Sequence, residues 1–145
     1  MAIKYHPEVG DILICDFSGM KPPEMVKRRP VVNLTPRFRR SGGLCTVVPL
    51  STTAPNVIQR WHARLQVDLP NPYSSPEVWL KGEFLYTVSY DRLFLLRQGK
   101  DEDGNRIYTY PRLSNEQIKI VWDCVLHGLG RSDIVNYLSD PLDDK

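Results

Sequence analysis

Short apolar runs separated by turn residues fill the first two thirds of the chain. Gly10-Asp11 precedes Ile12-Leu13-Ile14-Cys15-Asp16-Phe17, which reads as a strand. Residues 18–28 are small, polar and charged and include Pro22-Pro23, so they read as a loop. That loop is long enough to form a lid or a binding segment. Residues 29–34 form the second predicted strand, where Pro30 fits only at the start or on an edge. Ser41-Gly42-Gly43 supplies a turn before a third strand, residues 44–48, which Pro49 and the following hydroxyls end. Residues 61–67 alternate apolar and polar, as a half-buried strand does, with His62 on the outward side. Residues 69–77 hold Pro70, Pro72 and Pro76 and read as an irregular excursion. Residues 79–88 and 92–97 are further strand candidates. Asp103-Gly104 predicts a hairpin between residues 93–96 and 107–110.

After Arg112 the period changes. Ser114-Asn115-Glu116-Gln117 matches a capping box, and Ile118, Val121, Trp122, Val125, Leu126 and Leu129 follow the spacing of an amphipathic helix. Gly128 and Gly130 stop it, and His127 suits its C-terminal dipole. Ser132 is placed to cap a short second helix carrying Ile134, Val135 and Leu138. The pattern predicts a mainly β domain, a strongly bent sheet or small barrel, closed by a C-terminal helix. It is one domain over residues 1–145, with an irregular insertion at about 54–77 and a polar tail at about 140–145.

Composition narrows the class. An apolar fraction of 41% and a net charge of +2 exclude global disorder. No apolar run approaches the ~20 residues of a membrane span. Lys4 and Glu8 near the start argue against a signal peptide. Cys15, Cys45 and Cys124 are distant and odd in number, which suits the reducing cytoplasm and no disulfide framework. Cys15 and Cys45 lie inside apolar strands, as small core residues. The 12 prolines, about 8% against a usual ~5%, favour strands and turns over helices.

The near-neutral total conceals an asymmetry. Residues 18–50 carry seven basic side chains against Glu24 alone, a local +6, whereas residues 101–145 sum to −4. Such a cationic segment fits a polyanionic partner, most commonly nucleic acid, and equally a solvated loop. There is no Gly-rich phosphate loop and no Cys/His ligand spacing, so no metal or cofactor is expected.

Two groups are candidates for chemistry. Arg29 stands at a loop-to-strand junction before Pro30, where a stiff backbone presents a planar, permanently charged fork suited to phosphate oxygens. The competing reading is a surface salt bridge. Ser51-Thr52-Thr53 places hydroxyls at a strand end, where they can donate to a phosphate or simply form a turn. Ser51 and Thr52 face opposite sides, so only one joins a given pocket.

Tyr5-x-Pro7-Glu8-x-Gly10-Asp11-Ile12-Leu13-Ile14, then Arg28-Arg29-Pro30-Val31-Val32, then Val47-Val48-Pro49-Leu50-Ser51-Thr52-Thr53 resembles the MazF/PemK toxins in order and spacing. The resemblance covers about residues 5–53, and the later strands and helix more loosely. It implies an SH3-like barrel in a homodimer and a sequence-preferring, metal-independent endoribonuclease that cleaves single-stranded RNA, usually mRNA, at short sequences and is held in check by an antitoxin. It also implies catalytic roles for Arg29 and Ser51, with Thr52 as the fallback, since that position is more often Thr. Lys21, Lys27, Arg28 and Arg37 are then the RNA-binding candidates. Many members carry an acid–amide pair on a later strand or a His in the first loop. Here Tyr86-Thr87 stands at the former place and the loop has no His, leaving Glu83 and Asp91 as possible acid–base groups. Two other readings stay open: a non-catalytic RNA-binding barrel, and a gyrase-binding poison of the related CcdB-like fold.

Overall fold

A computed structural model describes residues 2–37 and 42–138, the side chains of Tyr137 and Leu138 excepted. Arg39 and Arg40 of the cationic segment, Ser41 of the expected turn and the polar tail lie outside the described residues. The strands are β1 (Ile12–Cys15), β2 (Arg29–Asn33), β3 (Leu44–Ser51), β4 (His62–Leu65), β5 (Val78–Lys81), β6 (Tyr86–Ser89), β7 (Leu93–Phe94), β8 (Leu96–Lys100) and β9 (Arg106–Thr109). Two helices follow, α1 (Asn115–Gly128) and α2 (Ser132–Leu138).

Seven strands share one antiparallel sheet in the order β4-β5-β3-β2-β1-β7, with β6 also on β3. A single 3₁₀ turn, Tyr90–Arg92, carries the chain from β6 on one flank to β7 on the other. The path thus bends back on itself as an SH3-like sheet does, without a hydrogen-bonded closure among the described residues. β8 and β9 form a separate hairpin, whose turn is held by Asp101 Oδ1 accepting the Asp103 and Asn105 N–H groups.

Alternation along the central strands feeds two cores. Leu13, Cys15, Val31, Cys45, Val47 and Val88 point inward with Phe17 and Met25. Ile12, Ile14, Val32, Val48 and Leu50 point to the opposite face, where Leu65, Val78, Leu80 and helix α1 cover them. This explains why the central strands read as continuous apolar runs: both faces are dry. Each such side chain contributes about 1.5–3 kcal/mol through burial. Burial also pushes the Cys15 thiol up to about 12 and those of Cys45 and Cys124 up to about 11, so all three act as core residues.

Several expectations are corrected. The third strand does not end at Pro49 but continues to Ser51. On one edge its partner changes there, from β6 at Val47 to β5 at Leu50. The proline, which lacks a donor, stands where that edge has no ladder partner. The strand expected over 79–88 is two strands, broken at Gly82. A Cβ on Gly82 would lie 2.6 Å from the Cys124 carbonyl carbon, so only glycine lets α1 approach this turn. Gly128 belongs to α1 rather than stopping it, and its own Cβ would meet the Gly82 carbonyl at 2.8 Å. The capping box forms in both halves, but the buried stripe is Val121, Cys124 and Val125, while Trp122 and Leu129 face outward. Ser132 does not act as the expected cap: it is the first residue of α2, and its hydroxyl pairs with His127 Nδ1 at 2.7 Å. The insertion is not wholly irregular, since β4 lies within it and pairs with β5.

Candidate active site

β2 and β3 pair through Val31–Pro49, Val32–Val48 and Asn33–Val47. Continuing that register by two residues sets Arg29 opposite Ser51, both on the inner face that carries Val31 and Val47. Arg29 also pairs with Cys15 across β1, and Pro30, buried behind it, stiffens the backbone from which it projects. The guanidinium is half-buried. Its Nε–H is buried without an acceptor, and among the described residues no carboxylate reaches ion-pair distance of it. An unpaired buried donor costs about 1–3 kcal/mol, so this position holds an unanswered demand for an anion.

Ser51 is 4% exposed. Its Oγ accepts the Thr53 N–H at 3.1 Å and donates to the Thr53 carbonyl at 3.2 Å, so the hydroxyl also shapes the strand-end turn. Thr52 is exposed, one residue past the end of β3. Ser51 pairs with Trp79 of β5, and Trp79 pairs with Arg64 of β4. Trp79 Nε1 lies 3.4 Å from Glu77 Oε2, and Glu77 Oε1 lies 3.7 Å from Arg64. Glu77, Arg64 and Trp79 thus extend the polar strip that Arg29 and Ser51 begin. The alternation in Glu77-Val78-Trp79-Leu80 already hints at this shared face, but only the strand register reveals what it borders.

The other expected residues divide between places. Lys21 and Lys27 are exposed on the loop of residues 18–28, at the same end as Arg29. That loop is pinned rather than free: Arg92 Nη1 donates to the Asp16 and Ser18 carbonyls, and the Met25 N–H donates to Tyr86 Oη. Asp16 accepts the Ser18 N–H, which holds its carboxyl below its ordinary value, with Arg28 and Arg92 adding to the effect. Arg28 leaves the opposite face, over the Phe94 ring at 4.6 Å and 3.7 Å from Asp16. Arg37 is exposed beyond the far end of β2, beside Tyr90.

Neither proposed carboxylate reaches Arg29. Glu83 stands in the turn after β5. It accepts the Trp61 Nε1–H and the His62 Nε2–H, both at 3.0 Å. His62, expected outward, is only 7% exposed at its side chain; its Nδ1 accepts the Gln59 N–H, which assigns the proton to Nε2. Asp91 is exposed in the 3₁₀ turn after Ser89, which pairs with Leu44 at the other end of β3.

In fold, the chain is a MazF-like β domain. It superposes on MazF of Deinococcus radiodurans with a TM-score of 0.59, at 16% identity, covering 88% of this chain and 99% of that one. It superposes on a mycobacterial endoribonuclease, solved with its cognate antitoxin, with a TM-score of 0.56 at 15% identity over 86% and 96%. Residues 8–119 match the model of the PemK-like, MazF-like toxins of type II toxin–antitoxin systems, and the chain belongs to that family. It is 28% identical to an uncharacterized Haemophilus influenzae protein over 94% of this chain and 99% of that one. It is also 32% identical to Escherichia coli YifN over 64% of this chain and 75% of that protein.

Proposed function

We propose that this chain is the toxin of a toxin–antitoxin pair and cuts single-stranded RNA without a metal ion. The observation that carries this reading is the half-buried Arg29, whose Nε–H lacks an acceptor and which stands in register with Ser51. In the reaction, a ribose 2′-oxygen attacks the adjacent phosphorus and loses its proton. The bond to the 5′-oxygen breaks, that oxygen gains a proton, and a 2′,3′-cyclic phosphate forms. Arg29 stabilises the charge that grows on the non-bridging oxygens. Its proton stays on the guanidinium, which is permanently charged and has no acceptor role to play. Ser51 holds a phosphate oxygen or the attacking hydroxyl in line once it releases the Thr53 carbonyl. Glu77 takes the place in this reading that Glu83 and Asp91 do not fill, as the carboxylate on the Arg29 face. Dependence on the 2′-hydroxyl restricts the reaction to RNA. The active species is a homodimer, and an antitoxin covers the cationic loop.

The test is purified protein with a long RNA in EDTA. Cleavage by the wild type that is lost in Arg29→Ala supports the proposal; intact RNA with folded protein overturns it. The engagement of Ser51 with Thr53 favours a second reading, a barrel that binds RNA without cutting it. Salt-sensitive binding with no cut product selects that reading. Changed plasmid supercoiling with intact RNA selects the gyrase-directed one.

A further inference from the structure

The insertion of about residues 54–77 brings two charged side chains to the site, Arg64 and Glu77. The pairing of β2, β3, β5 and β4 sets Arg29, Ser51, Trp79 and Arg64 in one row across the sheet, all on one face. Glu77 stands two residues before Trp79 and so is a diagonal neighbour of Ser51, about 7–8 Å away between backbones. Arg29 flanks Ser51 from the other side. The backbones of β2 and β5 are therefore about 10 Å apart, a gap that a guanidinium and a carboxylate bridge through one phosphodiester. Three contacts hold Glu77. Its N–H donates to Ser75 Oγ at 3.2 Å, its Oε2 accepts the Trp79 Nε1–H at 3.4 Å, and its Oε1 lies 3.7 Å from Arg64 Nη1. The last is an ion pair longer than a hydrogen bond, so Oε1 keeps its lone pairs. Trp79 is 7% exposed, which fixes its indole, whereas Glu77 is half-buried and open to a substrate. Other carboxylates are engaged elsewhere: Glu83 with Trp61 and His62, and Glu24 with the Lys21 N–H inside the first loop.

We infer that the insertion supplies the general base: Glu77 Oε1 takes the proton of the attacking 2′-hydroxyl, and Trp79 and Arg64 are the positioning residues that aim it. The inference rests on the nuclease reading above and adds these roles to it. As the 2′-oxygen forms its bond to phosphorus, its O–H bond breaks and the proton passes to Glu77. The bond from phosphorus to the 5′-oxygen breaks, and water supplies that oxygen's proton. Glu77 then releases its own proton to solvent, which restores the starting state. The indole N–H fixes one carboxylate oxygen and the Arg64 charge steers the other, so the base is orientated before substrate arrives.

The experiment measures single-turnover cleavage of a long RNA in EDTA by the full chain, from about pH 5 to 9, with RNA affinity and thermal melting recorded for each variant. The wild-type rate is expected to rise with pH while Glu77 loses its proton, then to level. Glu77→Gln lowers the plateau by about 10²-fold or more and removes the bend, without weakening RNA binding. Arg64→Ala lowers the plateau by about tenfold, and Arg64→Lys, which keeps the charge, recovers most of it. Trp79→Phe keeps the ring, loses the N–H and also costs about tenfold, the worth of one hydrogen bond. A purely structural role for Arg64 would change melting and leave the plateau of the folded protein in place. Cutting by Glu77→Gln at the wild-type rate, with the wild-type bend, overturns the inference and leaves the nuclease reading intact. A bend that survives in Glu77→Gln and vanishes in Glu24→Gln overturns it too, and moves the base to the first loop. Intact RNA with folded wild type removes both readings together.

Discussion

β2 carries a polar side chain at each end of its inner face, and the two are treated oppositely. Asn33 is 0% exposed. Its Nδ2 donates to the Pro7, Glu8 and Thr35 carbonyls at 3.0–3.3 Å, and its Oδ1 accepts from the Thr35 N–H and hydroxyl. Nearby, His6 is equally satisfied, with Nε2–H on the Thr35 carbonyl at 2.7 Å and Nδ1 on the Tyr90 hydroxyl at 2.6 Å. Four residues away along the strand, Arg29 keeps a buried N–H without an acceptor. The same fold completes one polar network and leaves the other open. The complete end ties the N-terminal arm to the sheet; the open end is where a ligand's charge lowers the free energy.

Arg29→Ala is the sharpest way to break this comparison. It removes the unanswered donor and has no hydrogen bond of the Nε to lose. Cleavage of RNA should fall by about 10²–10³-fold. The unfolding free energy from a urea titration should be unchanged or higher, by at most the about 1–3 kcal/mol that the unanswered donor costs. A large loss of stability instead would make Arg29 a structural residue like Asn33.

Asn33→Ala should show the reverse. It leaves three carbonyls and the Thr35 groups short of a partner, at about 2–4 kcal/mol in a urea titration. Once folded, the variant should cut RNA at close to the wild-type rate, because nothing at the Arg29 end depends on the Asn33 amide. Unchanged stability would mean that water completes the network without it.

The two ends also differ in how far they can be read from the sequence alone. Arg29-Pro30 and the hydroxyls after Pro49 stand out locally, and Ile12 to Cys15 and Val31-Val32 announce strands by composition. The capping box at Ser114 and Gln117 is likewise a local signal. Register is not local. That Ser51 borders Trp79, and that Glu77 rather than Glu83 shares the face of Arg29, depends on which strands meet along β3. The change of partner at Pro49 and the close approach of Gly82 to Cys124 are equally invisible in a single strand. They explain why Trp122 was expected inside and lies outside: the small side chains of Cys124 and Gly128, not the large ones, face the turn.

Ser51→Ala sharpens the description of the open end by a smaller amount. If the hydroxyl meets the substrate, the rate should fall about tenfold, the worth of one hydrogen bond. Thr52→Ala should leave it unaltered, since Thr52 is exposed beyond the end of β3. An unchanged rate in Ser51→Ala removes Ser51 from the reaction and leaves it as the residue that turns the chain at Thr53.

The smallest effect concerns the loop beside Arg29. Asp16 has its carboxyl held below its usual 3.8, first by the Ser18 N–H and then by Arg28 and Arg92. A carboxylate with a depressed pKa in the folded state contributes stability that is complete above about 4 and is lost as pH falls through the depressed value. Asp16→Asn keeps an oxygen that accepts the Ser18 N–H but removes the charge that titrates. The wild type should therefore be slightly more stable than Asp16→Asn at pH 7, and the gap should close as the pH drops below 4. The gap should be small because the group is exposed and solvent screens it. Asn33 itself does not titrate, so the deficit of Asn33→Ala should stay constant across the interval below pH 4 in which Asp16 gains its proton. A gap for Asp16→Asn that is equally constant from pH 7 to 3 would show that its loop is held by Arg92 and the backbone alone.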